Sequence, residues 1–318
     1  MNIVVRYLFL ITAILSATSS CSHHSSSTND KVKSDTVDLK IGLMPVSDCL
    51  PLYVADLNRE FTRNGIAVKV VSYNSMQQCA DAFYRGKIDG AYLTLPDALY
   101  CNENGVNMKA IMGCDGQMTF IANGTRRIRK IASIKGHTIA LSRHNTSEYL
   151  ADIIAKMVKA KRIDILCPQI NDIFVRADML GKKQIDVAVL PSPYDGLSAM
   201  QGNVALYSTQ DAGIRFGSLC FRDSVIAHKS DKIAKLVKAF SSMATCINRD
   251  RHVADTTLLK VYKVPGEWLD SVKLPVFASP KAVVKADYER AVAWSLEKGY
   301  IKKKPEMNDV VSYKFAEK

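Results

Sequence analysis

Apolar residues along this chain alternate between two rhythms. Compact apolar runs, LKIGL at 39–43, IAVKVV at 66–71 and IDGAYL at 88–93, have the length and composition of strands. Between them the apolar positions fall at helical spacing. Leu52, Val54, Ala55, Leu57 and Phe61 follow Pro51, and Met76, Cys79, Ala80 and Phe83 follow a Ser75-x-x-Gln78 capping box. The second half uses the same order. HTIAL at 137–141 reads as a strand, and Asn145 with Glu148 forms a capping box. Tyr149, Leu150, Ile153, Ile154, Met157 and Val158 make a helical stripe, and IDVAVL at 185–190 is a further strand ending at Pro191-Ser192-Pro193. This alternation predicts an α/β fold with parallel sheets.

The halves also echo each other in residue identity. IDGAYLTLP (88–96) and IDVAVLPSP (185–193) share Ile, Asp, Ala, Leu and Pro at a constant offset of 97, and Tyr53-x-Ala55-Asp56 is matched upstream by Tyr149-x-Ala151-Asp152. Two similar α/β lobes are therefore expected. After residue 222 the alternation stops: SVIAH at 224–228 reads as one more strand, and helices are expected at 230–248, 254–262 and 280–298. A helical tail without a sheet of its own should pack on the first lobe. That places lobe 1 at 38–125, completed by 220–318, and lobe 2 at 126–219. The chain would cross between them near 123–130 and again near 215–225.

The N-terminus departs from this pattern. Arg6, the apolar run Tyr7–Leu15, the small residues Ser16–Ser20 and then Cys21 have the order of a bacterial lipoprotein signal, too short to span a bilayer. Residues 1–20 are expected to be removed and Cys21 to be acylated; the alternative is ordinary signal cleavage with Cys21 incidental. Residues 21–37 are Ser-rich and polar and read as a tether. Of the 318 residues, 43 are Lys or Arg and 31 are Asp or Glu, a formal net charge of +12. Nucleic-acid binding is not supported, because the basic clusters at Arg126–Lys130 and Lys302–Lys304 lack interleaved aromatics. Seven further cysteines contain no C-x-x-C spacing, so neither a zinc site nor a disulfide framework can be read; buried thiols are expected. No metal and no cofactor is expected.

No G-x-S-x-G, Walker-type loop, H-E-x-x-H or dinucleotide fingerprint is present. Polar residues instead collect after the strands, where α/β sheets hold ligands and helix starts offer N–H groups. They are Ser47 and Asp48, Ser75, Thr94, then Ser142, Asn145 and Thr146, then Asn171 and Ser192. Each of these also serves as an ordinary helix cap or turn residue. Tyr53, Tyr92, Tyr149 and Tyr194 are candidates for aromatic walls, or ordinary core residues, and Tyr194, which follows Ser192-Pro193, is the best of them; Arg143 is a candidate partner for an anion, or simply a solvated Arg.

KIGLMPVSDCLPLYVAD (40–56), GKIDGAYLTLPDAL (86–99), ALSRHNTSEYLAD (140–152) and QIDVAVLPSPYDGL (184–197), in this order and spacing, resemble the NMT1/THI5-like branch of type 2 periplasmic solute-binding proteins. The resemblance covers about residues 38–300. It implies two α/β lobes joined by two hinge crossings, closing over one small molecule that is delivered to an ABC permease in the inner membrane. The ligand it implies is a thiamine-precursor pyrimidine, a sulfonate or a nitrate-like anion, held at Ser47, Asp48, Ser75, Thr94, Ser142, Asn145, Thr146 and Ser192. It further implies a lipid-anchored protein on the periplasmic side of a bacterial membrane, acting as a monomer and not as an enzyme. The branch also holds pyrimidine-synthesising enzymes, whose Cys-rich cluster is missing here. A third reading is a surface lipoprotein with a degenerate cleft that binds a protein.

Overall fold

The first apolar run, Leu39–Leu43 (β1), is buried and pairs in parallel with Val68–Ser72 (β2) and with Gly90–Thr94 (β3). The computed structural model describes residues 37–160 and 164–316; the expected signal segment, Cys21 and the expected tether up to residue 36 lie outside the described residues. Helices α1 (Leu50–Leu57) and α2 (Glu60–Arg63) join β1 to β2, and α3 (Met76–Tyr84) joins β2 to β3. Helix α4 (Leu95–Glu103) leaves β3 and leads to β4 (Met108–Cys114). Pro51 and Pro96 sit in the first turns of α1 and α4, where a missing N–H breaks no helical bond.

The chain then enters a second sheet with β5 (Met118–Ala122), β6 (Ile139–Ala140), α5 (Thr146–Met157), α6 (Ile173–Gly181), β7 (Val187–Pro191), α7 (Tyr194–Met200) and β8 (Val204–Ser208). It returns through β9 (Gly217–Arg222) and ends in α8 (Asp223–His228), α9 (Ser230–Arg249), α10 (Asp255–Lys260), α11 (Lys285–Glu297) and α12 (Met307–Val310). The sheets run β2-β1-β3-β9-β4 and β6-β7-β5-β8. Helix α9 lies against α1, α11 against α4, and α12 against β4, so the helical tail belongs to the first lobe.

Several expectations are corrected. Both sheets are mixed: β9 runs antiparallel to β3 and β4, and β5 runs antiparallel to β7 and β8. Residues 118–122, placed above in lobe 1, form an interior strand of the second sheet, because MTFIA is buried throughout and the Asp115-Gly116 turn precedes it. The first crossing is thus at 115–117 and the second at 209–216, both earlier than expected. SVIAH at 224–228 lies within α8 and is not a strand. The preceding GSLCFR takes the sheet position, and Asp223 sits favourably in the first turn of the helix.

The 97-residue echo has a structural cause. Asp89 Oδ2 accepts the Lys40 N–H at 2.8 Å, and Asp186 Oδ2 accepts the Thr138 N–H at 3.0 Å. Each carboxylate stands just before a buried strand, β3 or β7, and fastens it to the start of its parallel neighbour, β1 or β6, and so marks the same place in each lobe. Both echoed strands, β3 and β7, are fully buried.

Candidate functional site

The carboxyl ends of β1 and β3 face those of β6 and β7 across a narrow cleft. The cavity there has a volume of about 30 Å³ and is lined by Met44, Val46, Ser47, Asp48, Met76 and Tyr92 from the first lobe. Ser142, Asn145, Ser147, Asn171, Ile173, Arg176, Pro191 and Ser192 line it from the second, with Gly116, Gln117 and Met118 at the crossing. A water-sized group needs about 10–15 Å³, so the space holds roughly two.

The first-lobe wall is organised by Asp48. Its Oδ2 accepts from the Tyr92 hydroxyl at 2.6 Å and from the Gly116 N–H at 2.7 Å. Burial pushes this carboxyl up to about 6, although both donors pull it back. The approach requires glycine at the first crossing and at the start of β9. Gly116 has φ +62° and a Cβ there would meet Gly217 N at 2.6 Å; a Cβ on Gly217 would meet Asp48 Oδ2 at 2.6 Å. Asp48 therefore ties β3 to the first crossing at Gly116, with the start of β9 packed close against both.

The second-lobe wall is built from the start of α5 and from α6. Asn145 caps α5 by accepting the Ser147 N–H, while its amide donates to Ser142 Oγ at 3.0 Å. Ser142 Oγ in turn donates to Asn171 Oδ1 at 3.2 Å. Asp172 caps α6 through the N–H groups of Phe174 and Val175. One turn later comes Arg176, only 2% exposed. Its Nη1 donates to the Ile170 carbonyl at 2.7 Å, but its buried Nε has no partner, and no carboxylate among the described residues forms an ion pair with it. Burial lowers this guanidinium to about 10, only partly offset by the charge of Asp172. A buried, underused cation in a cleft favours an anion beside it.

The lobes touch directly. Ser47 N–H donates to the Ser192 carbonyl at 2.8 Å and Ser47 Oγ to Ser192 Oγ at 2.8 Å. At the other rim Ile173 N–H reaches the Asn74 carbonyl at 3.0 Å, and Asn171 Nδ2 donates to Gln77 Oε1.

Six residues singled out from sequence line this one cavity: Ser47, Asp48, Ser142, Asn145, Asn171 and Ser192. Four are not in its lining. Ser75 caps α3, and Thr94 is bound to Asp97 in the capping box of α4. Thr146 opens α5 with a buried hydroxyl that has no partner. Tyr194, expected as an aromatic wall, is itself buried and donates to the Tyr262 carbonyl at 3.1 Å. Arg143 opens onto a different surface pocket, beside Lys298. Arg176 and Gln117 went unrecognised, whereas Tyr92, one of the candidate aromatic walls, does line the cavity. The available signal for Arg176 was an Arg inside an apolar helical stretch, four residues after a capping Asp.

The comparisons agree with this architecture. The ligand-binding component of an ABC-type import system from Staphylococcus aureus, solved with zinc bound, superposes with a TM-score of 0.73 at 17% identity, covering 87% of this chain and 98% of that one. The periplasmic aliphatic sulphonate-binding protein SsuA from Escherichia coli gives 0.71 at 16% identity, covering 86% and 91%. The periplasmic nitrate-binding protein NrtA from Synechocystis PCC 6803 gives 0.71 at 13% identity, covering 87% and 86%. No curated protein matches the sequence. At these identities the likeness concerns the fold: two α/β lobes facing across a cleft. The family model that describes NMT1-like proteins matches residues 32–212, both echoed strands included, and this chain belongs to the NMT1-like family.

Proposed function

We propose that this chain is an extracytoplasmic substrate-binding protein of an ABC importer, that it captures a small anion in the interlobe cleft, and that it binds without turnover. The observation that carries the reading is Arg176, a buried guanidinium on the cleft wall whose Nε has no partner. A carboxylate, sulfonate or nitrate-like group beside it would satisfy that donor, with Ser142, Asn145 and Ser192 within the same lining. Met44, Met76, Val46 and Ile173 would cover a short apolar body. The relatives named for sulphonate and nitrate binding support the ligand class. The lining holds one carboxylate and one guanidinium, and Asp48 already accepts two structural hydrogen bonds, which favours a binder over an enzyme.

The remaining parts of this reading are an acylated Cys21, a tether through residue 37, a monomeric chain on the periplasmic side of the membrane, and an ABC permease as partner. A cavity of about 30 Å³ admits a ligand only of nitrate or formate size unless the lobes part first. The same small volume favours a second reading, a cleft that stays shut on a protein-binding lipoprotein. Calorimetry with nitrate, formate, ethanesulfonate and taurine, beside native mass spectrometry of the purified chain, separates the two. A saturable heat that disappears in Arg176→Met supports the anion reading; no heat with any of the four and no co-purified small molecule refutes it.

A further inference from the structure

Away from the cavity, a second set of contacts joins the lobes. Helix α5 presents two carboxylates one turn apart, Glu148 and Asp152, toward the C-terminal tail. Like charges at this spacing are unfavourable on an isolated helix. Here Lys298, just beyond α11, lies 3.0 Å from Glu148 Oε1 and 3.1 Å from Asp152 Oδ2. Trp294 Nε1 donates to Asp152 Oδ2 at 2.8 Å, and the Tyr300 hydroxyl donates to Glu148 Oε2 at 2.9 Å. The Trp294 ring meets the Tyr149 ring edge-on, with centroids 5.5 Å apart. Burial would raise the Glu148 carboxyl, but the His144 N–H, Lys298 and Tyr300 together hold it below its ordinary value.

This set reaches the cleft through Glu148. The oxygen that accepts from Tyr300 also accepts the His144 N–H at 2.8 Å. His144 has φ +65°, a left-handed conformation costly for a side-chain-bearing residue, and its ring is flanked by Tyr300 and by Tyr100 of α4. The loop that carries Ser142 and Asn145 is thus held in shape by groups from the opposite lobe. α11 itself is fixed to the first lobe through α4 and to the second crossing, where Arg290 Nη1 donates to the Gly213 carbonyl and Asp287 accepts the Arg215 N–H.

We propose that Trp294, Lys298 and Tyr300 form a latch on Glu148 and Asp152 that holds the lobes closed and shapes the 142–148 loop. These are positioning residues. The inference extends the binding reading of the cleft, but no ligand enters its test, so failure of the anion reading leaves the test intact.

The test is hydrogen exchange and small-angle scattering on the full chain, comparing wild type with Lys298→Met, Lys298→Arg and Trp294→Phe. Lys298→Met should speed exchange at residues 142–150 at least tenfold and enlarge the radius of gyration, with core strands β1 and β3 unchanged. Lys298→Arg restores a cation and should behave as wild type. Trp294→Phe keeps the ring packing on Tyr149, removes one hydrogen bond, and should loosen the same segment to an intermediate degree even if Lys298→Met does not fold. Three outcomes would overturn the proposal: wild-type exchange at 142–150 in both Lys298→Met and Trp294→Phe, faster exchange spread evenly over the chain, or an Arg variant as loose as the Met variant.

Discussion

Replacing Arg176 by Met should make the ligand-free protein more stable and the cleft less able to bind. The side chain is 2% exposed and makes one hydrogen bond, to the Ile170 carbonyl. Its titration is depressed to about 10, chiefly by burial, and at about 1.4 kcal/mol per pH unit this depression means that holding the charge inside costs about 3 kcal/mol. Methionine removes the charge at similar length but leaves the Ile170 carbonyl unpaired, which returns about 1 kcal/mol. The expected net gain is about 2 kcal/mol, or a rise in Tm of roughly 4 °C for a chain of this size. Binding should move the other way. A lost charge-assisted hydrogen bond of about 1.5–3 kcal/mol weakens an anion at least tenfold, as read by calorimetry with the anion that wild type binds best. Such a pairing, stability gained and affinity lost, belongs to a group retained for its ligand. If the variant instead melts lower and binds as tightly as wild type, Arg176 is a packing residue and the reasoning fails.

Four further outcomes are expected. Burial raises Asp48 to about 6 and Asp97 to about 7, so the stabilisation tied to their protonated forms is complete below pH 4 and is lost as pH rises toward 7. Thermal melts should therefore fall between pH 4 and 7, and Asp97→Asn should flatten that slope, its share being up to about 4 kcal/mol. Asn145→Ala removes the α5 cap and the link to Ser142, and should cost about 1–2 kcal/mol in urea melts without ligand. Thr146→Val replaces a buried hydroxyl that has no partner, so stability should hold or rise by about 1 kcal/mol; a fall would mean the hydroxyl is bonded to the protein. Cys21→Ala should shift the protein from the membrane to the soluble fraction of cells, and a variant that stays with membranes would exclude acylation at Cys21 as its anchor.

The legible parts of the fold and site were those encoded by local patterns. Asp89 and Asp186 could be matched from sequence because each stands at the start of a buried strand, and the same neighbour-fastening role recurs in both lobes. Ser47, Ser142, Asn145 and Ser192 could be gathered because strand ends in α/β lobes converge on one crevice. What could not be read depended on distant parts of the chain. The GSLCFR strand at 217–222 inserts between β3 and β4, neither of which adjoins it in sequence, so its pairing leaves no local signature. The crossing points shifted for the same reason: MTFIA is equally suited to either sheet, and only its pairing with β7 and β8 assigns it to the second. Thr94 and Ser75 stood at strand ends as the rule requires, yet their side chains are consumed in capping α4 and α3, the ordinary use of such residues. Arg176 and Lys298 show the opposite case. An Arg in an apolar helix and a Lys after a tail helix look solvated in one dimension; burial gives the first an unmet donor, and packing between lobes gives the second two carboxylates. Lys298 acquires its role only where the two lobes meet, on a surface created by the second crossing, from 209 to 216, which returns the helical tail to the first lobe and brings Lys298 against α5.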